Sequence, residues 1–536
     1  MTKLGLALSG GGFRASLFHV GVLAHLAESG LLRQVEVLSC VSGGSILGAL
    51  YYVRLKRLLE TRKDADIQAA DYVKLVEDLE GQFVDAIQMN MRMRTFLNPL
   101  KNLRMIRANY SRSDRIGELY DELLYRPGLA VAGRKMVEMR ELKIAPPENP
   151  GFYPRRDNPG RRAKIPILLV NATVLNTGHI WRFEASTMGS VYPSTPTALD
   201  VDKNMRLLRP DSYAEITPAQ QDIELGLAVA ASAAVPGLFP PLSLSNLYPG
   251  GIRVQLVDGG VHDNQGLAGL LAEGCTHLVI SDASGQLADD KDPKTRAPRV
   301  MSRSNGVLMR QVREEELFAL LDGRRTPTAL LHLRKGLPIV TVPWFGPNQR
   351  PTPTAAGSPP SGRPTPADFG VDGGVQDRLS HIRTDLDSFT DVEAASLMLD
   401  GYLMSESVLS STPGLADLMG ARGDRSAGAW KFIRIRPWMA TPTPEFLKQL
   451  QVGSHTLFKF LRLGVRGLLT AALLVLGVLG LLWGLWRAGV SGWWLVFGVL
   501  VVAVSGLPAW LYLQIFDRLY LRLGRIERLR PPPLRR

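Results

Sequence analysis

The chain has 536 residues, 45% hydrophobic and 21% charged, which is enough for several domains and too apolar for a fully disordered protein. Two cysteines, Cys40 and Cys275, and eight scattered histidines exclude a disulfide framework and a multi-cysteine zinc site. The net charge of +13 does not indicate nucleic-acid binding, because it is concentrated in residues 454–536, an apolar tail with eleven Lys or Arg and two acidic residues.

Short apolar runs alternate with helical patterns along the chain, as in an α/β protein with a parallel sheet. Helices are predicted around Leu17–Leu26, from Ile46 onward and at Val392–Leu403. We interpret residues 53–160 as a helical insertion and the proline-rich residues 343–370 as a flexible surface loop within a domain of residues 1–450. The predicted strands are Leu4–Leu8, Val35–Leu38, Ile167–Val170, Val254–Val257 and Leu278–Ile280.

Two uncharged stretches near the C-terminus predict a transmembrane hairpin. Residues 467–486 carry no charge, and a helix of that length spans about 30 Å, the hydrocarbon thickness of a bilayer. The second predicted span covers residues 490–512. Basic residues flank both outer ends, whereas the turn has only Arg487, so the positive-inside rule places the large domain in the cytoplasm. Residues 451–536 are therefore predicted to be a two-span membrane anchor with a basic C-terminal tail.

A glycine cluster, Gly10–Gly12, follows the first predicted strand and precedes a helix. Such a loop can bring backbone N–H groups close to an anion. A P-loop is excluded because no Gly-Lys-Ser/Thr follows. A dinucleotide site fits the spacing from Gly10 to Ala15, but it expects an acidic residue at the end of the second strand, and Glu36 comes too early. The third possibility is an oxyanion hole, to which Arg14 would add positive charge.

Ser42 lies at the end of the second predicted strand and is followed by Gly43 and Gly44. A nucleophile elbow needs a serine with small neighbours on a strained strand-to-helix turn, and a helix follows here. The usual GxSxG pattern has a glycine where this chain has Cys40. The structural alternative is a helix N-cap, which Ser42 or Ser45 would serve.

Asp258 ends an apolar strand and is followed by two glycines. A carboxylate at this place can accept the proton of a serine or orient its hydroxyl, whereas the alternative is a turn-forming Asp-Gly. The same five residue types recur at 371–375, but no strand precedes Asp372, so we do not expect Asp372 in the site. His262 follows Asp258 by four positions and keeps a Ser-His-Asp triad open.

The order and context of these motifs resemble the patatin-like phospholipase family. The glycine cluster is similar to the oxyanion loop of that family, residues 41–44 to its elbow, and residues 258–260 to its DGG motif. Residues 231–241 also resemble the segment that precedes the DGG strand, and the similarity extends over roughly residues 4–404. The resemblance implies a three-layer α/β/α sandwich, a Ser–Asp dyad without a catalytic histidine, and action on acyl esters of lipids.

We therefore expect a membrane-anchored lipid acyl hydrolase, of phospholipase A or lysophospholipase type, in which Asp258 activates Ser42 and an acyl-enzyme forms. The expected oxyanion-hole residues are Gly10, Gly11, Gly12, Arg14 and Gly43. The expected partners are a membrane lipid substrate and the bilayer, with no nucleic acid, no cofactor and no metal. Two other hypotheses stay open: a nucleotide-binding oxidoreductase that uses the glycine loop, and a catalytically silent lipid-binding scaffold.

Residues 89–107 combine methionines and leucines with five basic residues. A basic amphipathic segment of this kind can lie on anionic lipid. An ordinary helix packed on the core is equally consistent with the pattern.

Overall fold

The computed structural model describes residues 2–105, 110–130, 135–191, 208–216, 218–285, 289–322, 326–338, 369–419, 427–456, 459–463 and 506–532, with single positions, one pair and one run of three elsewhere. The predicted proline-rich loop, residues 343–370, lies almost entirely outside the described residues.

Within the described residues, ten strands form one mixed sheet. They are β1 (Leu4–Leu8), β2 (Val35–Val41), β3 (Ile167–Val174), β4 (Ile180–Phe183), β5 (Thr187–Ser190), β6 (Asp211–Ser212), β7 (Leu242–Leu244), β8 (Val254–Asp258), β9 (His277–Asp282) and β10 (Thr328–His332). Their order is β10-β9-β1-β2-β3-β4-β5-β6, with β8 also beside β3 and β7 beside β8.

The five strands from β10 to β3 are parallel, whereas β4, β5, β6 and β8 pair antiparallel. The predicted α/β class is confirmed, but the sheet is mixed rather than parallel. One reason is that only residues 175–179 separate β3 from β4, too few for the crossover connection that a parallel pair requires.

Helices account for most of the remaining described chain. They are α1 (Gly12–Glu28), α2 (Gly43–Thr61), α3 (Ala69–Gln88), α4 (Met91–Arg94), α5 (Pro99–Arg104), α6 (Arg112–Tyr120), α7 (Arg126–Leu129), α8 (Pro154–Asp157), α9 (Pro218–Gln221), α10 (Leu225–Ser232), α11 (Leu267–Ala272), α12 (Ala297–Asp322), α13 (Gly373–His381), α14 (Asp391–Ser411), α15 (Arg436–Ala440), α16 (Pro444–Val452) and α17 (Phe460–Leu463), then Leu507–Leu511 and Arg518–Leu523. Helices α3–α8 occupy the predicted insertion, while residues 53–61 continue α2.

The two faces of the sheet bury separate hydrophobic clusters, because successive strand side chains point to opposite faces. In β1, Leu4, Leu6 and Leu8 join the larger cluster, which also contains the apolar faces of α1, α2, α3 and α14. Ala7 joins a smaller cluster on the other face, with side chains of α11 and the C-terminal half of α12. The central strands therefore have helices on both faces.

The prediction of two membrane spans is wrong. Among the residues that the structure describes, no helix is both long and apolar enough to cross a bilayer. Most of residues 467–486 and all of 490–505 lie outside the described residues. Where the second predicted span is described, Gly506 has a φ of 80° and Pro508 lies in the first turn of a five-residue helix. Because a residue with this conformation lies outside an α-helix, the helix that contains Pro508 begins only after Gly506. The predicted two-span localisation, with the large domain facing the cytoplasm, is corrected accordingly.

The described residues near the C-terminus pack on the main domain through a buried ionic network. Asp387 receives Nε of Arg383 at 2.7 Å and Nζ of Lys459 at 2.8 Å, while Arg383 also pairs with Glu393. The hydroxyl of Tyr520 donates to Glu393 at 2.8 Å. These side chains are almost completely buried, so the network ties Lys459 to the segment that precedes α14 and Tyr520 to the first turn of α14.

Candidate active site

Strands β2 and β8 meet end to end along one edge of β3. Strand β2 runs parallel to β3 and ends with Val41 opposite Asn171. Strand β8 runs the other way and ends with Asp258 opposite Ala172, the next residue of β3. Because the two strands approach each other along a shared partner, Ser42, which follows Val41, comes to lie beside Asp258.

Ser42 occupies a strained turn between β2 and α2. Its φ is 49° and its ψ is −117°, a conformation that costs a non-glycine residue about 1–3 kcal/mol. The glycines after it are required by close approach: a Cβ on Gly43 would overlap the carbonyl oxygen of Gly12, and one on Gly44 would overlap that of Leu8. The elbow therefore rests directly on β1 and the glycine loop.

The hydroxyl of Ser42 lies close enough to the carboxylate of Asp258 to lower the pKa of that carboxyl group. Both residues are nearly buried, with exposed fractions of 5% and 6%. Burial raises the pKa of Asp258 to about 6, although the nearby Ser42 hydroxyl and the hydrogen bond from the N–H of Gly260, at 2.7 Å, oppose the rise. At neutral pH the carboxylate is thus largely ionised and has an affinity for a proton suited to a general base.

His262 does not join this pair. Its backbone N–H donates to Gly259 O at 3.1 Å, and its side chain is exposed. Within the described part of the chain, that side chain makes no hydrogen bond to Ser42 or Asp258.

The glycine loop brings two helix N-termini together next to Ser42. Gly11 and Gly12 have φ values of 133° and 58°, which L side chains rarely adopt. Helix α1 begins at Gly12 and α2 at Gly43, and the two residues are in contact. Among the described residues, no acceptor lies on the N–H groups of Gly11, Gly12 or Gly43. Both helix dipoles therefore favour negative charge at this point.

Gly10 and Arg14, unlike Gly11, Gly12 and Gly43, already donate their hydrogen bonds to other residues. The N–H of Gly10 already donates to Asn264 O at 3.0 Å. Arg14 is buried, and its guanidinium donates to Ala283 O at 3.0 Å, Ser380 O at 3.1 Å and Ile382 O at 2.7 Å. Burial lowers the pKa of Arg14 to about 10. These contacts indicate that Arg14 fastens the glycine loop to the segments around it.

Sequence reasoning missed two residues that hold the elbow. The hydroxyl oxygen of Ser232 accepts the N–H of Ser42 at 3.0 Å and lies 2.8 Å from the hydroxyl of Ser45, and it donates to Asn171 O at 2.6 Å. The side chain of Asn171 donates to Cys40 O at 3.0 Å. Each could have been found in the sequence as a single polar side chain within an apolar segment, Ser232 in a helix and Asn171 in a strand. A buried polar side chain of this kind needs a hydrogen-bond partner.

Cys40 is packed in the interior, and Asp372 caps a helix. The thiol of Cys40 is buried, which raises its pKa, and a Cβ on Gly48 would overlap its sulfur. A thiol thus fits at this position because a glycine on α2 faces it.

Asp372 is the N-cap of α13 and accepts the N–H groups of Gly374 at 2.8 Å and Val375 at 3.2 Å. In the described part, no three His, Cys, Asp or Glu side chains are grouped as in a metal site.

The family model of the patatin-like phospholipases matches residues 6–271. The matched range contains the glycine loop, Ser42 and Asp258, and the match supports lipid acyl ester hydrolysis as the general activity. Among solved structures, the crystal structure of VipD from Legionella pneumophila matches at 15% identity over 76% of this chain and 67% of that chain. Its TM-score of 0.27 is too low to support a statement about this chain. No curated protein matches.

Proposed function

We propose that the chain is a lipid acyl hydrolase that uses Ser42 as the nucleophile and Asp258 as the general base. The observation that carries the proposal is the juxtaposition of the two buried side chains where β2 and β8 meet. The match of residues 6–271 to the patatin-like phospholipases supports the substrate class.

In the proposed reaction, the Asp258 carboxylate takes the hydroxyl proton while Oγ of Ser42 attacks the ester carbonyl carbon. The oxygen of the tetrahedral intermediate becomes negative beside the N–H groups of Gly11, Gly12 and Gly43, and fixed donors of this kind stabilise the transition state. Collapse of the intermediate breaks the bond to the alcohol oxygen, which takes the proton from Asp258 as it leaves. Water then attacks the acyl-enzyme, gives a proton to Asp258, and the returning proton restores Ser42 as the fatty acid is released.

The nucleotide-binding alternative has less support. Glu36 is the second residue of β2 and lies at the amino end of the strand, away from the glycine loop. The carbonyl of Gly12 also abuts Gly43, so the elbow occupies the space beside the start of α1.

The test compares Ser42→Ala, Asp258→Asn and Asp372→Asn in hydrolysis of p-nitrophenyl butyrate and of phosphatidylcholine in mixed micelles. The first two variants should lose about 10³-fold or more in turnover, and the third should keep wild-type turnover. A fluorophosphonate probe should label the wild type and not Ser42→Ala. Turnover retained by Ser42→Ala would defeat the proposal, and a wild type that is neither active nor labelled would favour the silent lipid-binding scaffold.

A further inference from the structure

A cavity of about 1100 Å³ lies beside the candidate active site, at the carboxyl ends of β9 and β10. Its described walls include Ser284 and Gly285, which follow β9, and Arg334, which follows β10. Both strands run parallel to β1 and β2, so their carboxyl ends share with Ser42 the edge of the sheet at which ligands bind in α/β proteins. Two strand spacings, about 10 Å in all, separate β9 from β2. The glycerol and headgroup of one lipid molecule span such a distance.

The wall of the cavity touches the glycine loop. A Cβ on Gly10 would overlap the side chain of Asn264, a wall residue, and would lie 3.2 Å from Cβ of Ser42. A Cβ on Gly11 would lie 3.1 Å from Cα of Ser284, on the same wall. A lipid whose ester carbonyl lies at Ser42 therefore has this cavity immediately beside it.

Most charged side chains that line the cavity have a partner of opposite charge within the protein. The pairs are Arg310 with Glu314 at 2.7 Å, Arg313 with the buried Asp282 at 3.7 Å, and His381 with Asp377 at 3.6 Å. Asp289 also lines the cavity, but it is exposed, so water and salt screen its charge. These groups do not themselves specify the sign of a ligand.

Arg334 differs from these groups, because its guanidinium pairs with no carboxylate among the described residues. Its Nε is buried and has no hydrogen-bond partner in the described part of the chain. The backbone N–H of Arg334 donates to Nδ1 of His332 at 3.2 Å, which fixes the residue at the end of β10. Burial lowers the pKa of Arg14 and of His332, and the positive charge of Arg334 lowers both further. An unpaired guanidinium beside other cationic groups favours an anion that accepts two parallel hydrogen bonds, as a phosphate does.

We propose that the cavity binds the phosphate-bearing headgroup of the substrate lipid and that Arg334 contacts the phosphate. Arg334 is then a residue that determines specificity: it favours phospholipids over neutral glycerides and takes no part in the reaction at the ester. The inference rests on the proposed function, because it assigns a binding site to the headgroup of the lipid that Ser42 attacks.

The experiment compares two soluble substrates with the same acyl chains, dihexanoyl phosphatidylglycerol and dihexanoylglycerol. Both are used below the concentration at which they aggregate, so that no lipid surface contributes. Arg334→Gln should raise KM for the phospholipid about tenfold, change its kcat less than twofold, and leave both constants for the neutral glyceride unchanged. Arg334→Lys keeps the charge without the planar pair of donors and should recover part of the loss.

Arg209→Gln is the matched control for the loss of one positive charge. The side chain of Arg209 is 77% exposed, and it lies next to β6, at the opposite end of the sheet from β10. This variant should keep the wild-type KM for both substrates. An equal rise in KM for the phospholipid in Arg209→Gln and Arg334→Gln would overturn the proposal, and so would an equal loss for both substrates in Arg334→Gln.

Inorganic phosphate distinguishes a headgroup site from a site for a free anion. In the wild type it should compete with dihexanoyl phosphatidylglycerol and have no effect on hydrolysis of the neutral glyceride. If phosphate instead accelerates hydrolysis of the neutral glyceride, and Arg334→Gln abolishes that acceleration, the cavity is a regulatory site for a free anion and the proposal is wrong.

Binding to the inactive Ser42→Ala protein separates this inference from the proposed function. In calorimetric titration with dihexanoyl phosphatidylglycerol, adding Arg334→Gln to Ser42→Ala should raise Kd about tenfold. An unchanged Kd would overturn the headgroup site even with Ser42 as the nucleophile. Hydrolysis retained by Ser42→Ala would contradict the proposed nucleophile, and the comparison of KM values would still decide the role of Arg334.

Discussion

The hydroxyl oxygen of Ser232 lies 3.0 Å from the backbone nitrogen of Ser42 and accepts its hydrogen bond. The same hydroxyl donates its proton to Asn171 O on β3. One side chain from α10 therefore connects the strained elbow to the strand on which β2 and β8 meet. This arrangement gives Ser232 a positioning role for the nucleophile.

Ser232→Ala should reduce turnover of p-nitrophenyl butyrate about tenfold and lower the free energy of unfolding by about 2 kcal/mol, since three buried hydrogen bonds lose their partner. Ser411→Ala is the control, because the Ser411 hydroxyl donates within its own helix to Val408 O and its removal should change stability by less than about 0.5 kcal/mol. Steady-state kinetics and urea unfolding check both values. Normal turnover in Ser232→Ala would remove Ser232 from the positioning of the elbow.

Ser42→Gly should be more stable than Ser42→Ala by about 1–2 kcal/mol. Both variants lack the hydroxyl and should be inactive, but only glycine adopts a φ of 49° without strain. Thermal unfolding of the two inactive variants measures the difference directly. Equal melting temperatures would show that the turn at residue 42 relaxes in the absence of the hydroxyl.

Gly259→Ala and Gly373→Ala should affect stability differently, although each glycine follows an Asp in the same five-residue pattern. A Cβ on Gly259 would overlap the carbonyl oxygen of Asn171, whereas a Cβ on Gly373 meets open space. We expect Gly259→Ala to lose several kcal/mol of stability or fail to fold, and Gly373→Ala to be neutral or slightly stabilised in the first turn of α13. Denaturant unfolding of the pair checks this, and similar losses in both would contradict the assignment of the two motifs.

The pKa of Asp258 predicts opposite pH effects on activity and on stability. Activity needs the carboxylate, so kcat/KM should rise with pH through about 6. Burial raises the pKa from an ordinary 3.8, so the unfolded chain releases the proton first as pH rises. The stability contributed by the neutral group is therefore present below about pH 4 and lost between about pH 4 and 6.

Asp258→Asn removes that buried charge and tests the effect on stability. At pH 8 the variant should be more stable than the wild type by up to about 3 kcal/mol, and at pH 4 the two should be nearly equal. Urea unfolding from pH 4 to pH 8 follows the difference. A difference that does not depend on pH would show that the carboxyl group titrates normally.

Lys459→Ala should destabilise the protein by about 3 kcal/mol, because it removes one partner from the buried carboxylate of Asp387. We also expect lower turnover, because Asp385 O, two residues away, accepts the N–H of Phe13 at the start of α1 at 3.2 Å. Lys448→Ala, on the neighbouring helix α16, is the control for charge and length. Wild-type stability in Lys459→Ala would mean that the network does not tie the C-terminal residues to the domain.

Five of the ten described strands (β1, β2, β3, β8 and β9) and the elbow could be predicted because their signals are local. Apolar runs such as Leu4–Leu8 bury both faces, and a serine before two glycines at a strand end requires little beyond the chain itself. The direction of β8 could not be predicted, since an apolar run of five residues is the same read in either direction. The contacts of Arg14 depend on residues more than 260 positions away, which no pattern near residue 14 reveals.

The C-terminal residues show a different limit of sequence reasoning. A hydropathy pattern identifies a stretch without charged residues. It does not show that a glycine in the stretch has a positive φ, or which carboxylate a buried lysine pairs with. Lys459 contributed to the predicted basic flank of a membrane span, whereas the structure pairs it with Asp387. Charge counting treats such a residue as solvated when it is not.

Strands β2 and β8 end opposite two adjacent residues of β3, Asn171 and Ala172. The distance between the nucleophile and the base is therefore set by the one peptide unit that joins these two residues. Helices that do not contact the elbow can shift without altering that separation, as long as β3 keeps its register. The shape of the substrate entrance can therefore change without changing the distance between Ser42 and Asp258. Loops and helices at the entrance can then be exchanged or redesigned to accept other lipids, while the placement of Ser42 beside Asp258 stays as it is.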